Sequence, residues 1–111
     1  MEPDSQILQV SDVVISRAGR DSGSLYYVKE VCPPFVLLVN GTNRPLEKPK
    51  KKKIRHIESV LHPETRVAAK LLAGDKVLNS ELRKDLARLG QELQSHTLGG
   101  LQLGKRRRNR D

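Results

Sequence analysis

Runs of consecutive apolar residues, each ended by a turn former, fill the first half of the chain. Because valine, leucine and aromatic side chains dominate them, three of these runs predict buried β-strands, over residues 12–16, 25–31 and 35–39. Gly19 and Gly23 lie in the polar loop after the first run, where glycine adopts positive φ without penalty. Pro33 and Pro34 end the second run, since proline cannot donate to a strand ladder.

Weaker signals extend the pattern to five strands. Asn40-Gly41 predicts a type I′ hairpin turn, followed by a fourth strand over residues 44–48 with Pro45 at a sheet edge. A short fifth strand is predicted over residues 54–57, with Ile54 and Ile57 pointing inward. Five short strands joined by tight turns favour a small SH3-like barrel.

The period of the apolar residues changes to that of a helix after residue 57. A first helix is predicted over residues 63–73, beginning at Pro63 and ending before Gly74. A second helix is predicted over residues 80–94, with Ser80 as N-cap. Its leucines recur at i, i+4, i+7 and i+11, which gives one apolar stripe for packing: Leu82, Leu86, Leu89 and Leu93.

The predicted fold class is therefore α+β, in four parts along the chain. Residues 1–9 form a flexible lead, 10–57 the barrel, 58–98 a helical extension and 99–111 a disordered basic tail, after glycines at 99 and 100.

Positive charge is concentrated in two short blocks. Of the net charge of +8, residues 44–56 carry seven Lys and Arg against Glu47, or +6. Residues 105–111 carry five against Asp111, or +4, which leaves −2 for the remainder. A concentration of this kind indicates a polyanionic partner.

Other classes of function find little support in the sequence. The acidic N-terminal stretch is not a signal peptide, no apolar run reaches membrane-spanning length, and a single cysteine, Cys32, excludes an internal disulfide, so we expect a cytoplasmic protein. Cys32 with His56, His62 and His96 fits no zinc spacing, so no metal or cofactor is expected. With no phosphate loop or activated nucleophile, we expect no enzymatic activity.

The run DVVISRAGRDSG followed by a strand resembles a KOW motif on an SH3-like barrel. With Asn40-Gly41 and the ending EKPKKKKIRHI at residues 47–57, it is similar to bacterial KOW-domain RNA-binding proteins related to the fourteen-e protein of archaeal and eukaryotic large ribosomal subunits. The resemblance implies ribosomal RNA as partner, with other ribosomal proteins nearby. Ser22 and Tyr26 replace a basic residue and a glycine typical of the motif, which shifts the predicted RNA contacts toward the basic block.

The residues themselves favour phosphate contacts. Three aromatic side chains are too few for a base-stacking platform, so structured RNA read through its backbone is predicted. Four consecutive lysines cannot share one strand face, which favours an exposed loop at residues 50–53. The predicted RNA-binding residues are Arg17, Arg20, Arg44, Lys48, Lys50, Lys51, Lys52, Lys53, Arg55, His56, Lys105, Arg106, Arg107 and Arg108.

A second hypothesis treats the chain as a protein-interaction module of the transcription or translation machinery. KOW domains of the elongation-factor type also contact proteins, and here the leucine stripe or a barrel edge would be the interface, with the lysines as solvated surface. The position of the +6 block beside the motif favours RNA. A monomer without small-molecule substrate or membrane contact is expected in either case.

Overall fold

A computed structural model describes the backbone of residues 8–101 and the side chains of residues 8–94. Its elements in chain order are β1 (Val13–Ser16), β2 (Leu25–Cys32), β3 (Phe35–Val39), β4 (Lys50–Lys53), a 3₁₀ turn (Ile54–His56), β5 (Ile57–Leu61), α1 (Arg66–Ala73) and α2 (Asn79–Leu101). The α+β class predicted from the sequence is confirmed. Strands β1, β2 and β3 lie within one residue of their predicted bounds.

The five strands form one antiparallel sheet with the order β4-β3-β2-β1-β5. The first and last places belong to β4 and β5, so the sheet is curled but is not a closed barrel. The 3₁₀ turn runs between these two edges: Ile54 N–H donates to the Pro34 carbonyl at 2.9 Å, and Arg17 N–H to the His56 carbonyl at 2.7 Å.

Each face of the sheet is covered by a different set of side chains. The concave face encloses a cluster built from all strands except β4: Val14, Tyr26, Val28, Val36, Leu38 and Ile57. The other face packs against the helices, through Val13, Tyr27 and Val39 on the sheet and Val67, Ala68, Leu82, Leu86 and Leu89 on α1 and α2. Because both faces are buried at β1 and β3, these two strands are almost continuously apolar rather than alternating.

The leucine stripe of α2 is therefore a packing surface. Leu82, Leu86 and Leu89 are 0%, 7% and 4% exposed, and Leu93 is half-buried. Full burial of a leucine side chain contributes roughly 1.5–3 kcal/mol, so the stripe is a principal reason that the helices stay on the sheet.

Hydrogen bonds of Thr65 and Asp85 fix the start of α1 and join both helices to the sheet. Thr65 Oγ1 accepts from Ala68 N–H and caps α1, and it also donates to the buried Asp85 carboxylate at 2.8 Å. The hydroxyl of Tyr27 donates to the same Asp85 oxygen. Asp85 thus ties β2, α1 and α2 together. Burial first, and then this hydrogen bond, raise the pKa of the Tyr27 hydroxyl above its usual range.

Four predictions for residues 40–57 were wrong. Residues 44–48 form turns rather than a strand, and the fourth strand is Lys50–Lys53, which was expected to be a loop. Asn40-Gly41 is not a two-residue hairpin turn, because only Gly41 has positive φ and the connection to β4 spans residues 40–49. The fifth strand is Ile57–Leu61, preceded by the 3₁₀ turn, so the sheet continues beyond the predicted barrel boundary at residue 57.

The helices differ from prediction mainly at their ends. Thr65 caps α1, so the helix begins at Arg66 and not at Pro63, whereas its end at Gly74 (φ 79°) is confirmed. Helix α2 begins at Asn79 and continues to Leu101, through the glycines expected to end it. Of the predicted lead at residues 1–9 and the predicted disordered tail at 99–111, residues 1–7 and 102–111 lie outside the described residues, including Lys105, Arg106, Arg107 and Arg108, whereas residues 99–101 are helical.

Gly41 supplies a test of how the 40–49 connection docks on α2. A Cβ at Gly41 would overlap the Asn79 carbonyl oxygen, whereas a Cβ at Gly23 meets nothing within 4 Å, although both glycines have positive φ. We expect Gly23→Ala to cost about 1–2 kcal/mol from the left-handed backbone alone. Gly41→Ala should cost at least about 1–3 kcal/mol more, through overpacking. Urea unfolding followed by circular dichroism measures both, and equal losses would contradict the close approach.

Candidate nucleic-acid interface

Strand β4 divides its four lysines between two faces. Lys50 and Lys52 are paired across the ladder with Leu38 and Val36, which point into the concave cluster. Cross-strand partners share a face, so these two lysines lie on the concave side, with side chains 27% and 9% exposed. Lys51 and Lys53 point the other way and are exposed. The strand geometry thus separates one lysine block into two pairs that face opposite sides of the sheet.

Asp21 holds the concave-side lysines. Lys52 Nζ lies 2.8 Å from Asp21 Oδ1 and 2.6 Å from the Ala18 carbonyl, and Lys50 Nζ lies 3.7 Å from Asp21 Oδ2. The carboxylate also accepts from Ser16 Oγ at 2.9 Å and from the Tyr26 hydroxyl at 3.0 Å. These contacts attach β4 to the loop of residues 17–24.

The ionisation of Asp21 follows from these partners. Burial, the largest single influence, would raise the pKa of Asp21, but hydrogen bonds from Lys52, Ser16 and Tyr26 together hold it well below its ordinary value. Burial and the bond to Asp21 raise the pKa of Tyr26 to about 12. At neutral pH the site therefore contains a carboxylate, a neutral phenol and a paired ammonium group.

The loop of residues 17–24 takes its shape from its two glycines. Gly19 and Gly23 have φ of 85° and 93°, as their place in the loop predicts. Gly23 N–H donates to the Ser16 carbonyl at 2.8 Å and Ser24 N–H to the Asp21 carbonyl at 2.9 Å, which turns the Asp21 side chain toward β4.

Arg44 is positioned by a second loop. The Asn40 side-chain oxygen accepts from the backbone N–H groups of Thr42 and Arg44 at 2.9 and 3.0 Å, and the Arg44 carbonyl accepts from Asn40 N–H at 2.8 Å. Arg83 Nη1 anchors the same loop to α2 by donating to the Gly41 carbonyl at 2.6 Å. The loop thus holds Arg44 beside the glycine loop.

Together the two loops and β4 form a basic cleft of about 290 Å³. It is lined by Gly19, Arg20, Asp21, Tyr26, Asn43, Arg44, Lys50 and Lys52. Four predicted site residues meet here, namely Arg20, Arg44, Lys50 and Lys52. Four cations against one carboxylate give the lining a net charge of +3, so the cleft attracts anions.

The other predicted site residues lie elsewhere. Arg17 pairs with Glu58 at 2.6 Å, and both side chains are about half exposed, at 52% and 56%. Lys51 Nζ lies 4.5 Å from the centre of the Phe35 ring, a cation–π arrangement on the convex side of β4. Lys48, Arg55 and His56 do not line the cleft; the first two are exposed and His56 is half-buried in the 3₁₀ turn.

Sequence reasoning did not identify Asp21, Tyr26 or Asn43 as part of the site. Asp21 reads as a turn former, and its partner Lys52 lies 31 residues away. The only signal for Asp21 in the sequence is an acidic residue between Gly19 and Gly23 in a chain that also contains the lysine block. This signal does not indicate which lysine is its partner.

Comparisons with known proteins add no assignment: no protein-family model matches the chain, and no curated protein is significantly similar to it. Within residues 8–94, no group of three or more His, Cys, Asp or Glu side chains is arranged to hold a metal ion. None of the helices that the structure describes combines the length and apolarity needed to cross a bilayer.

The pairing of Asp21 predicts a pH-dependent stability. The pKa of Asp21 is lowered on folding from its ordinary value of 3.8. The contribution of the Asp21 charge to the free energy of unfolding is therefore complete above pH 3.8 and is lost as pH falls below that value. Asp21→Asn should destabilise the protein by roughly 1–3 kcal/mol at pH 7, since it leaves Lys52 without its counter-ion. The gap to wild type should narrow as pH falls below about 5, because the Asp21 carboxylate of the unfolded wild type then gains its proton while that of the folded protein is still ionised.

Urea unfolding at each pH measures this gap. Asp75→Asn is the matched control, because Asp75 is exposed and its side chain has no recorded partner among the described residues. A gap that stays constant from pH 7 to the acid limit would show that the Asp21 charge is not what stabilises the loop.

Proposed function

We propose that this chain is an RNA-binding protein that contacts the phosphate backbone of structured ribosomal RNA. The observation that carries the proposal is the convergence of Arg20, Arg44 and Lys50 on one cleft, beside a strand whose other lysines face solvent. Lysine and arginine neutralise phosphates and release counterions, which gives affinity without base recognition. No enzymatic step is part of the proposal.

Two features support an SH3-like fold of the KOW type. The last strand returns to pair with the first, giving the order β4-β3-β2-β1-β5, and a 3₁₀ turn connects the two edge strands. The loop that would correspond to the KOW motif, residues 17–24, is the loop that contacts β4 through Asp21. In this proposal the motif and the basic block therefore act as one surface, in a ribosome-associated cytoplasmic protein.

The buried aromatic residues support backbone contacts rather than base stacking. Tyr26 and Tyr27 are 1% and 0% exposed, and the ring of Phe35 lies under Lys51. No open aromatic face is therefore presented by either tyrosine for a base to stack on.

The protein-interaction hypothesis has less support. Its candidate interfaces were the leucine stripe and a barrel edge, and three of the four leucines are buried against the sheet. Exposed large hydrophobic side chains are limited, among the described residues, to Leu72 and Leu78, at 60% and 52%. Two separated leucines do not make an apolar patch of interface size.

Binding to purified large-subunit ribosomal RNA across a salt series tests the proposed function. Wild type should bind, with affinity falling steeply as salt rises. Lys51→Gln/Lys53→Gln should weaken binding and reduce the log–log salt slope by about 1–2, or roughly one phosphate contact per lysine. Both lysines point away from Asp21, so the fold should be unaffected.

The charge-matched control is Lys76→Gln/Lys84→Gln, which removes two exposed lysines from the helical half. It should leave affinity and slope close to wild type. If both double variants lose affinity equally, binding reflects net charge alone and not this surface. If wild type does not bind, the proposed function is wrong.

A further inference from the structure

The basic cleft contains more positive charge than its own residues neutralise. Within residues 8–94, Arg20 and Arg44 form no ion pair with an acidic side chain, and Lys50 lies 3.7 Å from Asp21, beyond hydrogen-bond distance. We infer that the cleft is a discrete binding site for one phosphate group, supplied by a phosphodiester of bound RNA. The RNA source rests on the proposed function, whereas the phosphate chemistry rests on the cleft itself.

The Asp21 carboxylate reduces the repulsion among the cations of the cleft. Both of its oxygens face donors of the protein: Lys52 and Ser16 on Oδ1, and Tyr26 on Oδ2. Asp21 therefore neutralises Lys52 at the base of the cleft and leaves Arg20, Arg44 and Lys50 available at its mouth. An incoming phosphate is met by cations that are already in position, and little ordering is needed on binding.

The guanidinium and ammonium donors of the cleft suit a phosphate better than an uncharged or apolar ligand. A guanidinium group presents parallel N–H donors that match two phosphate oxygens, and an ammonium group adds a point charge. Two arginines and one lysine thus supply enough donors for the non-bridging oxygens of a phosphodiester, with the Asn43 side chain beside them.

The size of the cleft limits the ligand. At about 290 Å³ it lies at the lower end of the range for pockets that enclose drug-sized ligands, roughly 300–1,000 Å³. Its one aromatic residue, Tyr26, is 1% exposed and bonded to Asp21, so a base has no ring to stack on. The site therefore takes a phosphate with its adjoining sugar rather than a whole nucleotide, and it reads no sequence.

The inference separates the cleft from the outward lysines of β4. Arg20 and Arg44 should each make a positioned contact, whereas Lys51 and Lys53 contribute a diffuse field. Removing two charges from the cleft should therefore cost more affinity than removing two charges from the convex side. Arg20→Gln/Arg44→Gln should weaken RNA binding by about 10- to 100-fold, against a few-fold for Lys51→Gln/Lys53→Gln.

A second measurement tests the cleft without RNA. Wild-type protein labelled with ¹⁵N is titrated with inorganic phosphate, with sodium chloride exchanged to keep ionic strength constant. The expected result is a saturable shift of the amide signals of Gly19, Arg20, Asn43 and Arg44, absent at Lys51 and Lys53. Arg20→Gln/Arg44→Gln should abolish it while circular dichroism stays unchanged.

The outcomes distinguish this inference from the proposed function. If wild type binds RNA and the variants Arg20→Gln/Arg44→Gln and Lys51→Gln/Lys53→Gln lose equal affinity, the discrete cleft site is wrong. The proposed RNA-binding function then still stands. Failure of wild type to bind RNA overturns the proposed function and the RNA assignment together, and a saturable phosphate shift then points to another source of phosphate. A linear or uniform response to inorganic phosphate overturns the discrete site.

Discussion

Two consecutive tyrosines on the central part of the sheet set the constraint on which the rest of the structure depends. Tyr26 and Tyr27 project from β2 to opposite faces, and both are buried. A buried phenol hydroxyl without a partner is costly, so each face must supply an acceptor. Asp21 does so on the concave side and Asp85 on the helix side. Each of these two carboxylates also binds the elements that lie on its own face of the sheet.

Each carboxylate gathers a different part of the chain. Asp85 accepts from Tyr27 and from Thr65, the cap of α1, and pairs with Arg88 at 2.7 Å, so the helical half is attached to β2 through one side chain. Asp21 accepts from Tyr26, Ser16 and Lys52 and brings the glycine loop to β4. The carboxylate that accepts the Tyr26 hydrogen bond therefore also holds Lys52 at the base of the cationic cleft, so one hydrogen-bond network both stabilises the fold and positions the charges.

The apolar pattern predicted the parts of the fold that local sequence controls. Strands β1 to β3 and the leucine stripe follow from side-chain type and spacing, which the core then uses. Lys50–Lys53 was expected to be a loop because four consecutive lysines cannot share one strand face. The strand forms because it is an edge, where lysines are favoured, and because Asp21 lies beside the two lysines that are directed inward and pairs with Lys52 at 2.8 Å.

The functional prediction was limited by the same long-range contacts. Arg20, Arg44 and Lys50 were predicted as separate basic residues, and only the folding of the 17–24 and 40–49 loops onto β4 brings them to one cleft. The turn at Asn40-Gly41 differed from prediction because Asn40 uses its side chain to close a longer loop, and because Gly41 lies against α2. The contact of Gly41 with α2 is not encoded in neighbouring residues.

The central claim is that β4 sorts its lysines: Lys52 is held by Asp21 on the inward side, whereas Lys51 and Lys53 on the opposite side are open to a polyanion. Lysine reactivity measures this directly: the protein is acetylated briefly with an amine-specific reagent, with and without large-subunit ribosomal RNA, and modification at each lysine is read by mass spectrometry. Lys52 should react slowly in both samples, because its side chain is 9% exposed and its amine is paired with Asp21. Lys51 and Lys53 should react fast in the free protein and become protected by RNA. Equal reactivity of Lys52 and Lys51 in the free protein, or no protection of Lys51 and Lys53 by RNA, would contradict the account.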